Sequence, residues 1–201
     1  MNGESAPGVE LPLVVGLGGS PGTSSVTNQL MLACLAKAAD LGTRTEVFSG
    51  DELSTLPIYG ATATSAHNDL ADRVVDAVRR ADAVIIATPG YHGGMSGLVK
   101  NAIDHLEELR TDDRPYLDGR AVGVIVSAGG WQAAGAALVS VRSAIHALRG
   151  WPTPFGVTVN SAEQRPDEHG HFDERVDGAL GILAGQLVEF VGWRRGAWPR
   201  S

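Results

Sequence analysis

The chain has 201 residues, a length that suits one domain with a single sizeable core. With 43% hydrophobic and 19% charged residues, it has the composition of a globular protein rather than of a disordered one. The net charge of −7 and the absence of a long Lys or Arg run argue against a nucleic-acid partner.

Two segments bear on targeting and on membranes. Residues 1–10 contain acidic side chains and no apolar stretch, so they do not resemble a secretory signal, and we interpret them as a flexible N-terminal extension. Residues 121–141 are uncharged and about as long as a spanning helix. Ser127 and Gly129 interrupt this stretch, which favours a buried strand, a loop and a helix start. We therefore expect a cytoplasmic protein with no membrane partner.

Strand-like and helix-like patterns alternate along the chain. The predicted strands are residues 13–18, 45–48, 83–88, 121–127 and 156–159. The predicted helices are residues 26–41, 68–81, 98–108, 135–148 and 172–190. The first helix carries the lone Cys34 on its apolar stripe, which favours a small buried hydrophobe over a redox thiol.

The character of the strands limits the fold. The first, third and fourth strands are apolar without alternation, as expected for strands covered on both faces. Five strand–helix units with right-handed crossovers predict an α/β fold, an open doubly wound five-stranded parallel sheet of flavodoxin-like order with helices on both faces. We assign residues 11–192 to this domain and residues 193–201 to a C-terminal tail.

The turn after the first strand is rich in glycine and hydroxyl groups. Its third glycine is misplaced for a dinucleotide fingerprint, Glu46 and Asp51 lie too far on to hold a ribose, and there is no Walker lysine. The hydroxyl side chains are those of Ser20, Thr23, Ser24, Ser25 and Thr27. Hydroxyls and amides at a helix start can hold a phosphate without a cation, although a Ser/Thr-rich helix cap is the simpler alternative.

Two further turns are rich in glycine. One follows the third strand at residues 89–97, and the other follows the fourth strand at residues 127–131. Backbone amides at glycines approach a ligand without obstruction by side chains. A phosphate at the first turn and a flat ring along the later turns would together describe a flavin mononucleotide (FMN).

The motifs of these turns resemble those of the NAD(P)H-dependent FMN reductase family. The segment GLGGSPGTSSVTNQL is similar to the family's first turn, which typically reads G-S-x-R-x-x-S. The segment ATPGYHGGMSGLVKNAID resembles the family's P-x-Y-x-G-x-x-x-G-x-x-K-N-x-x-D and is the more specific of the two. A Gly-Gly pair at residues 129–130 falls where the family has its third glycine-rich loop.

The resemblance implies roles for particular residues. It implies that Ser20, Ser25 and Thr27 bind the FMN phosphate, that Pro89 and Tyr91 lie along the ribityl chain and ring, and that Gly129 and Gly130 face the polar edge of the ring. The complete predicted cofactor-binding set is Ser20, Thr23, Ser25, Val26, Thr27, Pro89, Gly90, Tyr91, His92, Gly93, Gly129 and Gly130. No catalytic acid–base pair and no metal ligand is predicted, because flavin chemistry depends mainly on position and electrostatics.

One departure from the family pattern concerns charge at the first turn. Gly22 stands where the family usually has Arg, which removes a cation near the phosphate and leaves the choice between NADPH and NADH open. The resemblance also implies a homodimer or homotetramer, and the apolar helix at residues 98–109 is compatible with it.

Three functions remain open from the sequence. The first is an NAD(P)H-dependent FMN reductase that passes reduced flavin to a monooxygenase partner. The second retains FMN and reduces quinones, azo or nitro compounds, or metal oxyanions. The third is a flavodoxin-type electron carrier, which the low aromatic content of 5% disfavours.

Two polar features outside the turns have structural interpretations. Lys100 and Asp104 have i,i+4 spacing and are expected to pair on a helix, with Asn101 supporting the neighbouring loop. The His169-x-His171 spacing resembles a metal site but lacks partners elsewhere, which favours a solvated turn.

Overall fold

Strands and helices alternate in the computed structural model, which describes residues 10–22, 24–61 and 68–196. The strands are β1 (Leu13–Gly18), β2 (Arg44–Phe48), β3 (Ala83–Pro89), β4 (Ala121–Ala128), β5 (Trp151–Pro152) and β6 (Val157–Asn160). The helices are α1 (Val26–Asp40), α2 (Gly50–Leu53), α3 (Asp69–Arg80), α4 (Gly97–Asp104), α5 (Trp131–Ala147) and α6 (Glu174–Arg194). A 3₁₀ helix, His105–Leu109, follows α4 directly.

All strand pairings between these elements are parallel, and the order is β2-β1-β3-β4 with β5 and β6 both beside β4. The fifth position of the sheet is thus divided, since β5 pairs with the start of β4 and β6 with its end. Pro152 and Pro154 have no N–H to donate, which is consistent with the break between the two short strands. The predicted flavodoxin-like order is confirmed, with an additional two-residue strand.

Helices cover both faces of the sheet. On one face α1 and α6 pack over Val14, Ile85 and Ile125. On the other face α3, α4 and α5 pack over Val15, Val84 and Val124. Every residue of β1, β3 and β4 is buried, which explains why these strands read as continuous apolar runs.

Several boundaries differ from the prediction. α5 begins at Trp131, four residues earlier than predicted, because Gly135 is tolerated inside the helix, where a Cβ would meet nothing within 4 Å. α4 ends at Asp104 and continues as 3₁₀ helix instead of running unbroken to residue 108. The short helix α2 was not predicted, although Ser49 and Glu52 form the reciprocal pair of a capping box.

One helix of the described chain, α6, is long and apolar enough to cross a membrane by length and composition alone. Its residues Val176, Leu180, Leu183 and Leu187 are buried against the sheet and α1, as in a core helix of a globular protein. The uncharged stretch 121–141 forms β4 and much of α5, as predicted.

The two ends of the described chain lie close together at the amino ends of the strands. Arg195 forms a salt bridge with Asp82, at 2.7 Å between Nη2 and Oδ2, and donates to the Glu10 carbonyl. α6 extends to Arg194, so the tail begins later than the predicted residue 193. The remainder of the predicted extension and tail, residues 1–9 and 197–201, lies outside the described residues.

Candidate functional site

The first loop, residues 19–25 between β1 and α1, lies at the carboxyl end of the sheet. Its backbone begins against β3, because the Gly19 N–H donates to the Ala87 carbonyl at 2.7 Å. A Cβ at Gly19 would lie 2.9 Å from Ser96 Oγ and 2.6 Å from Val99 Cγ2, so only glycine lets this loop approach α4 so closely. Thr23, one of the predicted ligands, lies outside the described residues.

The amino end of α1 faces this loop. Ser25 is the N-cap of α1, and its hydroxyl accepts from the Asn28 N–H at 3.3 Å. The first N–H groups of a helix have no partner within the helix, so those of Val26 and Thr27 are suited to an anion. Asn28, which the sequence analysis did not select, donates from Nδ2 to the Ser20 carbonyl at 2.8 Å and so fixes the loop.

Thr27 has a role inside the protein. Its Oγ1 lies 2.6 Å from Ser127 Oγ at the end of β4, and both residues are buried. This bond ties the start of α1 to the strand that precedes the Gly-Gly pair. The side-chain case for direct phosphate binding consequently rests on Ser20 and Ser25.

Helix α2 packs on the outside of the first loop. A Cβ at Gly50 would lie 2.0 Å from the Ser20 carbonyl oxygen, which shows how closely the two backbones approach. Asp51 Oδ1 accepts from the Gly22 N–H at 2.8 Å. The contact between Asp51 and this loop was not predicted, because Asp51 follows β2 and the loop follows β1.

The second loop, residues 90–96 between β3 and α4, contains a tight turn. Tyr91 and Gly94 exchange backbone hydrogen bonds of 3.1 and 2.9 Å around His92 and Gly93. His92 and Gly93 have φ values of 52° and 82°, the left-handed conformation of a type I′ turn. Tyr91, at the start of this turn, is 56% exposed to solvent.

Polar contacts fix the two ends of the second loop. The Gly90 N–H donates to the Ser127 carbonyl at 2.8 Å, which joins the loop to β4. The buried Thr88 Oγ1 accepts from the Ser96 N–H at 2.9 Å, and Ser96 caps α4. Pro89, another predicted ligand, is the buried last residue of β3.

The third loop, Gly129 and Gly130 between β4 and α5, is open. A Cβ built on either glycine would meet no atom within 4 Å. Gly130 is the N-cap of α5 and provides no side chain there, so the amide groups of this helix start are uncovered. A flat ligand can therefore approach this backbone.

Residues outside these loops have structural roles, although Asn101 supports the segment after α2 rather than the second loop that was predicted for it. Lys100 Nζ lies 2.6 Å from Asp104 Oδ1, and buried Asn101 donates to the Pro57 carbonyl at 3.0 Å and accepts from the Tyr59 N–H. Burial raises the pKa of the Cys34 thiol to about 12, so it stays protonated and unreactive.

The His-x-His segment forms a turn organised by a carboxylate. Asp167 Oδ1 accepts from the backbone N–H groups of His169 and His171, and these bonds lower the pKa of Asp167. Both histidine side chains are exposed. Over the described ranges, no group of three metal-ligating side chains comes together.

The family model for NADPH-dependent FMN reductases matches residues 12–164, which include all three loops. The chain belongs to the NADPH-dependent FMN reductase family. The predicted resemblance is confirmed.

The chain of this FMN reductase family member is similar to one curated protein and to several solved structures. The FMN-dependent NADPH-azoreductase of Staphylococcus aureus is 30% identical over 114 residues, which are 55% of this chain and 57% of the azoreductase. The chain thus spans less than two thirds of the length of that relative. The apo structure of the NADH:FMN oxidoreductase EMOB superposes with a TM-score of 0.67 at 21% identity, over 90% of this chain and 88% of the other.

Other solved structures share the fold. FerB, a flavoenzyme NAD(P)H:acceptor oxidoreductase of Paracoccus denitrificans, has a TM-score of 0.63 at 24% identity, covering 92% of this chain and 98% of FerB. A flavodoxin of Streptococcus pneumonia TIGR4 has a TM-score of 0.58 at 17% identity, over 89% and 98% of the two chains. These likenesses establish the flavodoxin-like fold of this FMN reductase family member.

The three loops suit the cofactor for which the family is named. The Ser25 hydroxyl lies at the amino end of α1, and Asn28 holds the Ser20 backbone beside the same helix end, which suits a phosphate. The open space over Gly129 and Gly130 admits a planar ring without a clash. The residues of this FMN reductase family member therefore fit FMN.

Proposed function

We propose that the chain is an NAD(P)H-dependent flavin oxidoreductase that binds FMN across its three loops. The observation that carries the proposal is the open backbone of Gly129 and Gly130, beside the Tyr91 turn and at the same sheet edge as the amino end of α1. In open α/β sheets, ligands bind outside the carboxyl ends of the strands, where these loops lie.

The phosphate end of FMN is assigned to the first loop. Ser20 and Ser25 would donate hydroxyl hydrogens, Val26 and Thr27 backbone N–H groups, and Thr23 completes the proposed set. The partial positive charge at the start of α1 favours a dianion there. Thr27 would also hold α1 against β4 through Ser127.

The ring end of FMN is assigned to the second and third loops. Pro89, Gly90, Tyr91, His92 and Gly93 would border the ribityl chain and one side of the ring. Amides of Gly129 and Gly130 would face its polar edge, where negative charge is stabilised by N–H donors. Bound FMN supplies the atom that accepts hydride from the nicotinamide.

The protein's contribution is position. The turn with positive φ at His92 and Gly93 fixes the conformation of the second loop around Tyr91. The hydrogen bond from the Gly90 N–H to the Ser127 carbonyl fixes the distance between the second loop and β4, which leads into the third loop. No acid–base residue is needed for hydride transfer between stacked rings, because orientation supplies most of the rate.

A second candidate function keeps FMN bound and reduces an azo compound or a quinone. The 30% identity to the Staphylococcus aureus azoreductase favours it. The two functions differ in whether the flavin leaves after reduction or stays. We propose a cytoplasmic enzyme in both cases, with a flavin-dependent monooxygenase as partner in the first.

The deciding experiment uses the purified chain. Its visible spectrum is recorded, and oxidation of NADPH and of NADH is followed first with free FMN and then with an azo dye or a quinone. Turnover with free FMN as the only acceptor supports the reductase. A yellow protein that reduces the dye but not free FMN supports the second function, and one inert to both nucleotides contradicts both.

Substitution of Ser25 tests the phosphate assignment. Ser25→Ala should weaken FMN binding about tenfold, because a hydrogen bond to a charged group contributes about 1.5–3 kcal/mol. Ser25→Asp should weaken it by about 100-fold or more, since aspartate caps a helix as well as serine does but repels phosphate. Fluorescence titration measures the dissociation constants, and equal values for all three proteins would refute the assignment.

We also propose a homo-oligomer, a dimer or a tetramer. The apolar helix at residues 98–109 is not its basis, because Val99, Leu106 and Leu109 are buried within the protomer. The edge patch, which consists of Trp151, Phe190 and Trp193, is a better candidate. Trp151 and Trp193 are 59% and 52% exposed, and exposed apolar patches mark interaction surfaces.

Light scattering at micromolar concentrations tests the oligomer. We expect a dimer or tetramer for the wild type and a monomer for the double variant Trp151→Glu/Trp193→Glu. Leu32→Glu, at an exposed position of α1, is the control and should leave the assembly intact. A wild-type monomer at every concentration would contradict the proposal.

A further inference from the structure

A carboxylate lies on the loop to which the FMN phosphate is assigned. Asp51 Oδ1 accepts from the Gly22 N–H at 2.8 Å, although the two residues are 29 positions apart in sequence. Gly22 has a φ of +95°, and a Cβ there would meet no atom within 4 Å. The amide of Gly22 is therefore directed to a negatively charged side chain at the outer side of the loop.

The surrounding backbone holds Asp51 in this place. The preceding residue, Gly50, packs so closely on the Ser20 carbonyl that a Cβ would lie 2.0 Å from its oxygen. The same short helix is closed by a capping box, in which Ser49 Oγ accepts from the Glu52 N–H and Glu52 Oε2 accepts from the Ser49 N–H. These contacts fix the backbone of Asp51 beside the first loop, where its side chain reaches the Gly22 N–H.

The charge of Asp51 opposes the charge of a flavin phosphate. A phosphate monoester carries between one and two negative charges near pH 7, because its second pKa is about 6. Gly22 provides no cation, and the Arg73 side chain nearby pairs at 3.7 Å with Glu52 instead of with Asp51. The phosphate of FMN bound by this loop would therefore be repelled by the Asp51 carboxylate. Riboflavin, which ends in an uncharged hydroxymethyl group instead of a phosphate, would not be repelled.

We propose that Asp51 is a specificity-determining residue that lowers the affinity of the first loop for the flavin phosphate and so narrows the preference of the chain for FMN over riboflavin. The proposal rests on the proposed function, in that these loops bind a flavin.

The test compares two ligands and four proteins. Dissociation constants for FMN and for riboflavin are measured by flavin fluorescence with the wild type, Asp51→Asn, Asp51→Ala and Asp40→Asn. Asp51→Asn keeps an oxygen that accepts from Gly22 and removes only the charge. Asp40→Asn makes the same change in charge at the far end of α1, roughly 20 Å away by helix length.

The expected result is a change for one ligand only. Asp51→Asn should bind FMN about 5- to 10-fold more tightly and riboflavin within twofold of the wild type, because the substitution removes a solvent-screened repulsion that acts on the phosphate and not on riboflavin. Asp51→Ala should shift in the same direction by less, because the loop loses its acceptor. Asp40→Asn should change neither constant.

Other outcomes overturn the inference. If Asp51→Asn leaves the ratio of the two affinities unchanged, or favours riboflavin, Asp51 does not set phosphate recognition even though the flavin site stands. If the wild type binds neither flavin, the proposed function fails and this inference fails with it.

Discussion

Replacing Gly129 with valine should lower NAD(P)H-dependent flavin reduction by about 100-fold or more while leaving the fold intact, because a misplacement of 1 Å can cost this much. A Cβ at this position meets no protein atom within 4 Å, so the protein itself tolerates the larger side chain. The valine methyl groups would occupy the space that we assign to the polar edge of the flavin ring, and would push the ring out of the position in which it stacks with the nicotinamide. Steady-state oxidation of NADPH with FMN measures the loss, and circular dichroism confirms the fold.

Two control variants accompany Gly129→Val. Gly185→Val is the same change in α6, at a glycine whose Cβ would also meet open space, and should retain full activity. Cys34→Ala should retain most of the activity, since its thiol is buried and bonded weakly to the Leu180 carbonyl. If Gly129→Val folds and turns over FMN like the wild type, the cleft has been assigned to the wrong loops.

Replacing Gly50 with alanine should damage both stability and flavin binding. The new Cβ would lie 2.0 Å from the Ser20 carbonyl oxygen and 2.8 Å from the Pro21 nitrogen, and both are backbone atoms that cannot rotate away. α2 and the first loop must separate, at a cost of about 1–3 kcal/mol in the free energy of unfolding. Since the first loop then loses its position, FMN affinity should fall by about tenfold or more.

The matched control for Gly50→Ala is Gly178→Ala in α6. A Cβ at Gly178 meets nothing within 4 Å, so the alanine should stabilise the protein by about 0.5–1 kcal/mol through helix propensity alone. Urea unfolding and flavin titration measure both variants. Equal unfolding midpoints for Gly50→Ala and the wild type would show that the close approach of these two backbones has no consequence.

Much of the fold follows from local patterns. β1 was predicted with its observed bounds, and β3 and β4 within a residue at each end, because strands buried on both faces consist almost entirely of apolar residues. The pairing of Lys100 with Asp104 also follows from helical spacing alone. These features depend on residues that are neighbours along the chain.

One error in the prediction has a local cause, and another depends on the assembled sheet. The late start given to α5 came from the glycines at its beginning, which lower helix propensity but are tolerated where the helix is exposed. The division of the fifth strand into β5 and β6 depends on which backbone groups of β4 remain to be paired, and only the assembled sheet determines that.

The positions of the glycines and hydroxyls in the turns were predictable from local segments, because each motif lies within one short stretch of residues. The distant residues that meet these turns could not be predicted in this way, because their contacts depend on the assembled sheet. Asp51 reaches Gly22 from α2, the helix after the neighbouring strand β2, and Thr27 meets Ser127 across 100 positions of sequence. The parallel register of β2, β1, β3 and β4 sets these contacts, since it brings the carboxyl ends of the strands to one edge and aligns their loops side by side.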